Sequence, residues 1–243
     1  MALCDGRLER FIRGAHWNEL NALPPVRRAV RKFALSLEHL TLEVRQDDEI
    51  AGWFRFDGED CPCRPFDDEA IDEKTRAVMD APERFGSRAN VDRGHTLVDY
   101  GEILRVGLRG CEEKLDHALM ETPRDEHLLA MKASLEAVRA FTRRMADSLA
   151  EKMTAASAGD RPRLVRMRDM LLRVPYEPAR TFYEAVQSVW IIHFLLPLSD
   201  NAWYSISLGR FDRYMLPYYE EALRSGVDEA EIRRVLHHFW LLL

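Results

Sequence analysis

Apolar residues recur at three- and four-residue spacing over most of this chain, and strict alternation is rare. That period gathers side chains on one face of a helix, whereas a strand would need a period of two. Val26, Val30, Phe33, Leu37 and Leu40 share such a face, so a first helix is expected to begin near Pro24-Pro25. Leu42-Glu43-Val44 and Ile50-Ala51-Gly52 read as extended, with Asp47-Asp48 as the turn of a small hairpin. Residues 56–68 are irregular, a short helix is expected from Asp68 to Met79, and Pro82 and Gly86 mark a loop that continues to His95.

Helical spacing returns from Val98 to Leu119 through Ile103, Leu104, Leu108 and Leu115. The longest helix follows, from about Arg124 to Ala156, with Leu128, Met131, Leu135, Val138, Met145, Leu149 and Met153 as its stripe. At 1.5 Å per residue it makes a rod of about 45 Å, read here as one helix of a packed bundle. Arg161 to Arg173 forms another helix, stopped before Pro175. Thr181-Phe182-Tyr183-Glu184 has the form of a capping box. The helix it opens, to about Leu196, is apolar almost all round and needs burial on every side. Residues 199–208 are expected as a loop or short strand, Arg210 to Arg224 as a helix kinked at Pro217, and Asp228-x-x-Glu231 as a second capping box. The final helix runs into Leu241-Leu242-Leu243, which reads as a cut edge against which more chain packs.

Composition adds bounds. The chain has 243 residues, 47% of them hydrophobic, which is enough for a folded core. A net charge of −6 argues against a nucleic-acid binder. The Arg pairs 27–28, 143–144 and 233–234 sit among apolar residues at helical spacing and read as solvated faces. Four cysteines are too few for a disulfide framework. The apolar run Val189–Leu198 is about half the roughly 20 residues a bilayer requires, and it contains His193 and Pro197. The chain therefore reads as soluble and cytoplasmic, without a membrane or nucleic-acid partner.

Familiar chemical motifs are missing. Cys61-Pro-Cys63 has no second pair, and His16, His39, His95 and His117 stand at no ligand spacing to it, so no metal is expected there. The tandem His237-His238 would point its rings in different directions. His193 reads as a satisfied core histidine, and Gly107-Leu-Arg-Gly110 is not a phosphate loop. Two segments exceed what packing needs. They are Gly94–Tyr100 and Tyr204–Tyr214, each a polar loop that feeds an apolar helix and sets hydrogen-bonding groups where a cavity could form.

These segments resemble, in order, the N-terminal portion of the glycyl radical enzymes, the pyruvate formate-lyase-like family. Asp48-Glu49-Ile50-Ala51-Gly52 resembles an early family turn. Gly94-His95-Thr96, Asp99-Tyr100, Ile103-Leu104 and Gly107-Leu108 form a second match. Arg180–Trp190 resembles the family's Thr-Phe-x-Glu-Ala helix. Ser205-Ile206-Ser207-Leu208-Gly209-Arg210-Phe211-Asp212-x-Tyr214, with Pro217-Tyr218-Tyr219, forms the fourth. This last motif is nearest the diol-dehydratase, choline-lyase and arylacetate-decarboxylase branch, although Trp203-Tyr204 stands where that branch carries Gly-His.

The resemblance implies a mainly α fold, the helical N-terminal part of a ten-stranded α/β barrel. A few short strands are expected near 42–52 and 202–207, and residues 1–243 form one incomplete domain. It implies radical cleavage of a C–O, C–N or C–C bond in a small polar substrate. A radical-S-adenosylmethionine activating enzyme installs the glycyl radical, no cofactor is held directly, and no metal is used. His95, Ser205 and Ser207 are the candidate substrate contacts, and Arg210, Asp212 and Tyr214 are structural motif residues. Family members are much longer, and their thiyl-bearing cysteine and glycyl loop match nothing here. The resemblance thus places no catalytic residue in this chain, which alone is expected to be inactive. The expected partners are substrate, activating enzyme, the remainder of the barrel or a complementary chain, and a second copy in a homodimer. The alternatives are a non-catalytic helical scaffold derived from the family and a helical small-molecule-binding module.

Overall fold

A computed structural model describes residues 6–59, 61, 66, 97–200 and 206–243, with only the backbone described at 199 and 200. Nine helices and one hairpin are present among these residues. In chain order they are α1 (Arg7–Ala15), α2 (Trp17–Asn21), α3 (Pro25–Glu38), β1 (Thr41–Glu43) and β2 (Trp53–Arg55). They continue as α4 (Tyr100–Glu121), α5 (Glu126–Thr154), α6 (Arg161–Arg173), α7 (Phe182–Asp200), α8 (Phe211–Arg224) and α9 (Glu229–Leu242). The mainly α expectation holds, and no helix among the described residues is long and apolar enough to cross a membrane.

The helices start where local chemistry supplies acceptors for their free N–H groups. Asp99 accepts from Glu102 N–H, Asp125 from His127 and Leu128, and Asp228 from Ala230. Pro25 opens α3, where no N–H is needed. The two capping boxes are half used. Thr181 accepts the Glu184 N–H at 3.2 Å, but the Glu184 carboxylate reaches back to Arg180 N–H at 2.8 Å. Glu231 does not turn back to Asp228; it accepts from the Tyr183 hydroxyl and faces Arg166.

Several boundaries differ from expectation. Two helices precede α3 because Leu8, Ile12 and Leu20 provide a sparse buried stripe in otherwise polar sequence. The hairpin exists, but its second strand is 53–55 rather than 50–52: Thr41, Leu42 and Glu43 pair with Arg55, Phe54 and Trp53. Helix α7 runs on past Leu196 and Pro197 to Asp200, so 199–208 is not all loop. Helix α8 continues through Pro217 as one element. Around 202–207, the described strand content is a single parallel bridge, Leu97 to Ser207. The helix expected at Asp68–Met79 and the loop to His95 lie outside the described residues.

The core forms around α7. Helices α3, α4, α6, α8 and α9 all pack against it, and Ala185, Val186, Val189 and Ile191 are essentially inaccessible. The long α5 lies against α3 and α6 through Phe141, Met145 and Leu149. Helix α4 is interrupted at Gly107 (φ 68°, ψ 174°). The break lets Leu108 and Arg109 N–H donate to the Pro175 and Tyr176 carbonyls, both at 2.9 Å. A Cβ on Gly107 would stand 2.2 Å from the Tyr176 oxygen, so the backbone crossing requires glycine.

Candidate functional site

The two polar loops singled out in the sequence meet in space. Leu97 and Ser207 form a parallel bridge, and the helices that follow each loop, α4 and α8, touch through Tyr100 and Tyr214, ring centroids 5.8 Å apart. The Tyr214 hydroxyl donates to the Leu208 carbonyl at 3.0 Å and ties the second loop to its own helix. Gly209 (φ 62°) turns the chain there, with Leu97 packed where a Cβ would go.

Of the candidate residues, His95 and Ser205 lie outside the described residues. Ser207 is exposed, and its hydroxyl accepts the Gly209 N–H at 3.0 Å, a local turn contact. Arg210 and Asp212 are exposed and pair with each other at 2.9 Å. That pairing raises the guanidinium and lowers the carboxylate, and both remain charged. Tyr214 is half-buried, with its phenol pushed far up by burial.

Beside this junction is a cavity of about 580 Å³. Trp190, His193 and Phe194 from α7, Trp53 and Phe54 from β2, and Ile206 supply much of its wall. His193, expected to be a satisfied core histidine, is half-buried and lines this cavity. Its Nδ1 lies 3.0 Å from the Tyr100 hydroxyl. Burial pushes the imidazole down and the Tyr100 phenol far up, so both groups are neutral near pH 7. One hydrogen bond links the phenol and Nδ1, its direction set by the imidazole tautomer. The pair positions a neutral donor; nothing in it generates a strong base.

The cavity wall is held by a recognition system that the sequence did not announce. Residues 45–52 turn at 46–47 and bend at 49–50 before β2, and three helices grip their backbone. Gln187 of α7 donates to the Ala51 carbonyl at 2.9 Å and accepts the Ala51 N–H at 2.8 Å. The Trp190 indole donates to Gly52 O at 3.2 Å. His238 of α9 accepts the Glu49 and Ile50 N–H groups at Nδ1, at 3.0 and 3.3 Å. Arg163 of α6 donates to the Arg45 and Asp48 carbonyls.

The side chains of this segment are tied as well. His238 Nε2 stands 2.9 Å from Asp48 Oδ1, within ion-pair reach although poorly aligned for a hydrogen bond. Burial raises the Asp48 carboxyl, but the His238 ring, the Arg45 N–H and the Trp53 indole outweigh it and hold it below the usual range. Glu49 pairs with Arg166 at 2.6 Å. As expected, the tandem histidines diverge: His238 is buried and His237 is exposed. Gln187 and His238 were the missed residues. The available signal was a glutamine inside an apolar helix and a histidine on the apolar face of α9.

Among the described residues, no group of three or more His, Cys, Asp or Glu side chains is placed to hold a metal ion. Neither described cysteine, Cys61 or Cys111, lines the cavity. Burial raises the Cys111 thiol, which is fixed within α4.

Comparison with known proteins agrees with this geometry. Residues 64–243 match the family model for pyruvate formate lyase-like proteins. The chain is 28% identical over 180 residues to isethionate sulfite-lyase of Oleidesulfovibrio alaskensis, covering 69% of this chain and 21% of that protein. It is 43% identical over 68 residues to indoleacetate decarboxylase of Tractidigestivibacter scatoligenes, covering 28% of this chain and 8% of the relative. The chain thus spans about a fifth or less of these relatives. Among solved structures, the glycerol-bound B12-independent glycerol dehydratase from Clostridium butyricum superposes with a TM-score of 0.72 at 23% identity. That match covers 99% of this chain and 36% of the other. A glycyl radical enzyme from Archaeoglobus fulgidus gives 0.70 at 20% identity, over 97% of this chain and 40% of the other. With the family model matched over most of its length, the chain belongs to the pyruvate formate lyase-like family of glycyl radical enzymes.

Proposed function

We propose that this chain forms the N-terminal, substrate-enclosing part of a glycyl radical lyase or dehydratase that cleaves a C–O, C–N or C–C bond in a small polar substrate. The observation that carries the reading is the Leu97–Ser207 bridge. It brings together the two loops whose motifs match the family and seats them on Tyr100 and Tyr214. The names of the relatives, lyases, dehydratases and a decarboxylase, support the reaction class.

The radical machinery does not fit these residues. Among the described residues, Cys111 is held inside a helix and neither it nor Cys61 lines the cavity, and no glycine of the sequence resembles the family's radical loop. On this reading the thiyl cysteine and radical glycine come from sequence outside these 243 residues. The chain's own part is to fix the loops carrying His95, Ser205 and Ser207, to exclude water and to orient substrate hydroxyls. Its partners are the substrate, a radical-S-adenosylmethionine activating enzyme, the barrel-completing polypeptide and, in a homodimer, a second copy.

The test has two arms. Genomic sequence around Leu243 is expected to encode a cysteine- and glycyl-loop-bearing segment, in the same frame or a neighbouring one. The assembled protein, activated anaerobically, is expected to show a glycyl doublet by electron paramagnetic resonance, with no doublet from residues 1–243 alone. A genuine stop with no complementary frame overturns the reading and favours the non-catalytic scaffold. A doublet from residues 1–243 would show that the radical site is misplaced.

A further inference from the structure

Away from the site, two histidines converge. His16 ends α1 and precedes α2, and His39 ends α3. Their Nε2 atoms stand 3.3 Å apart. Two imidazole nitrogens on one tetrahedral zinc, each 2.0–2.1 Å from the ion, stand about 3.3 Å from one another. The rings therefore already hold the bite that such an ion requires.

Three further features bear on the pair. Glu19 Oε2 lies 3.6 Å from His16 Nδ1, with its other oxygen held by Arg31; a carboxylate on that side favours the Nδ1–H tautomer, which leaves the Nε2 lone pair to a metal. The C-terminal ends of α1 and α3 both arrive here, and helix C-termini carry partial negative charge that favours a cation. The rings are half-buried, with Phe11 edge-on to His39 at 4.9 Å and Phe56 behind Phe11 at 5.1 Å, so they are braced yet reachable from solvent. Against this, Arg144 donates to the Leu37 carbonyl at the end of α3 and places one positive charge near His39.

We propose that His16 and His39 form a two-histidine site for an imidazole-preferring divalent ion, Zn²⁺, Ni²⁺ or Cu²⁺, with water completing the coordination. In the metal-free protein one Nε2–H donates to the other Nε2. On binding, the ion takes both Nε2 lone pairs, and the His39 proton moves from Nε2 to Nδ1, with no net proton released. The ion would clamp the α1–α2 junction to the end of α3, an added tie between segments 23 residues apart.

Titration calorimetry of the full chain with Zn²⁺, Ni²⁺ or Cu²⁺ alone tests the site, together with melting curves. One equivalent should bind and raise the melting temperature. His16→Ala and His39→Ala should abolish that equivalent, and Glu19→Gln should weaken it by about tenfold. His237→Asn, at an exposed histidine, should change nothing. Binding by His39→Ala equal to wild type, or no binding of any of the three ions, overturns the proposal. If the alanine variants fail to fold, imidazole ¹⁵N resonances of the wild-type chain during Zn²⁺ addition decide. Movement of the His16 and His39 Nε2 signals supports the site, and unchanged signals overturn it.

Discussion

The Gln187 side chain and the Ala51 backbone exchange two hydrogen bonds, at 2.8 and 2.9 Å, with the amide fully buried. A helix side chain thus does for the 45–52 segment what a neighbouring strand would do, and satisfies both of its polar groups at one residue. Gln187→Leu would leave the Ala51 N–H and C=O unpaired in the interior. At about 1–3 kcal/mol for each orphaned group, a loss of about 2–6 kcal/mol is expected in urea unfolding. A loss below about 1 kcal/mol would mean that water replaces the amide.

His238 holds the same segment through two N–H groups. An asparagine oxygen can stand near the Nδ1 position, whereas phenylalanine offers no acceptor. Amide exchange at Glu49 and Ile50 is therefore expected to accelerate strongly in His238→Phe and less in His238→Asn. Equal rates in the two variants would show that packing, not the acceptor, protects these amides.

Acid should destabilise the fold in two steps. Burial holds the His193 imidazole below its ordinary value. Its contribution is therefore complete above the unfolded-state pKa near 6.5 and is lost as pH falls through the lower folded value. Glu184 behaves as Asp48 does: burial raises it, but hydrogen bonds from Arg180 and the nearby Arg173 prevail and depress it. Carboxylates of this kind stabilise above about pH 4 and lose that contribution below it. Asp48→Asn should flatten the lower limb of a stability–pH curve and leave the upper limb in place, read by melts from pH 7 to pH 3.

Gly107→Ala places a Cβ against the Tyr176 carbonyl in a region of backbone space open essentially to glycine. A loss of about 3 kcal/mol or more is expected by chemical denaturation. Retention of wild-type stability would mean that the α4 break can relax.

The exposed Arg210–Asp212 pair should be thermally silent. Asp212→Asn is expected to leave the melting temperature unchanged, whereas Tyr214→Phe, which frees the Leu208 carbonyl, should cost about 1 kcal/mol. A melting temperature for Asp212→Asn as low as that of Tyr214→Phe would show that the ion pair also holds the loop.

Much of this architecture could be read from spacing. Helices α4 to α9 carry long apolar stripes, and Asp99, Asp125 and Asp228 cap where the pattern begins. Helices α1 and α2 escaped because two or three buried leucines and isoleucines in polar sequence give too short a period. The second strand was misplaced because Ile50 and Ala51 are buried by helix side chains, which leaves Trp53–Arg55 to pair. The two polar loops stood out in the sequence, but their meeting did not, because chain order does not say that residues 97 and 207 pair. The Tyr100–His193 contact joins residues 93 positions apart, and no local pattern marks either as the other's partner.

The grip of His238 on Glu49 spans 189 residues of chain. A ribosome adding about 5–20 residues per second completes His238 on the order of 10–40 s after Glu49. The α7 anchors, Gln187 and Trp190, are made before that interval ends, but until His238 follows the Glu49 and Ile50 N–H groups lack their final acceptor. The early segment of this protein is thus assembled last, and its safe passage depends on whatever shields those groups while the chain is being made.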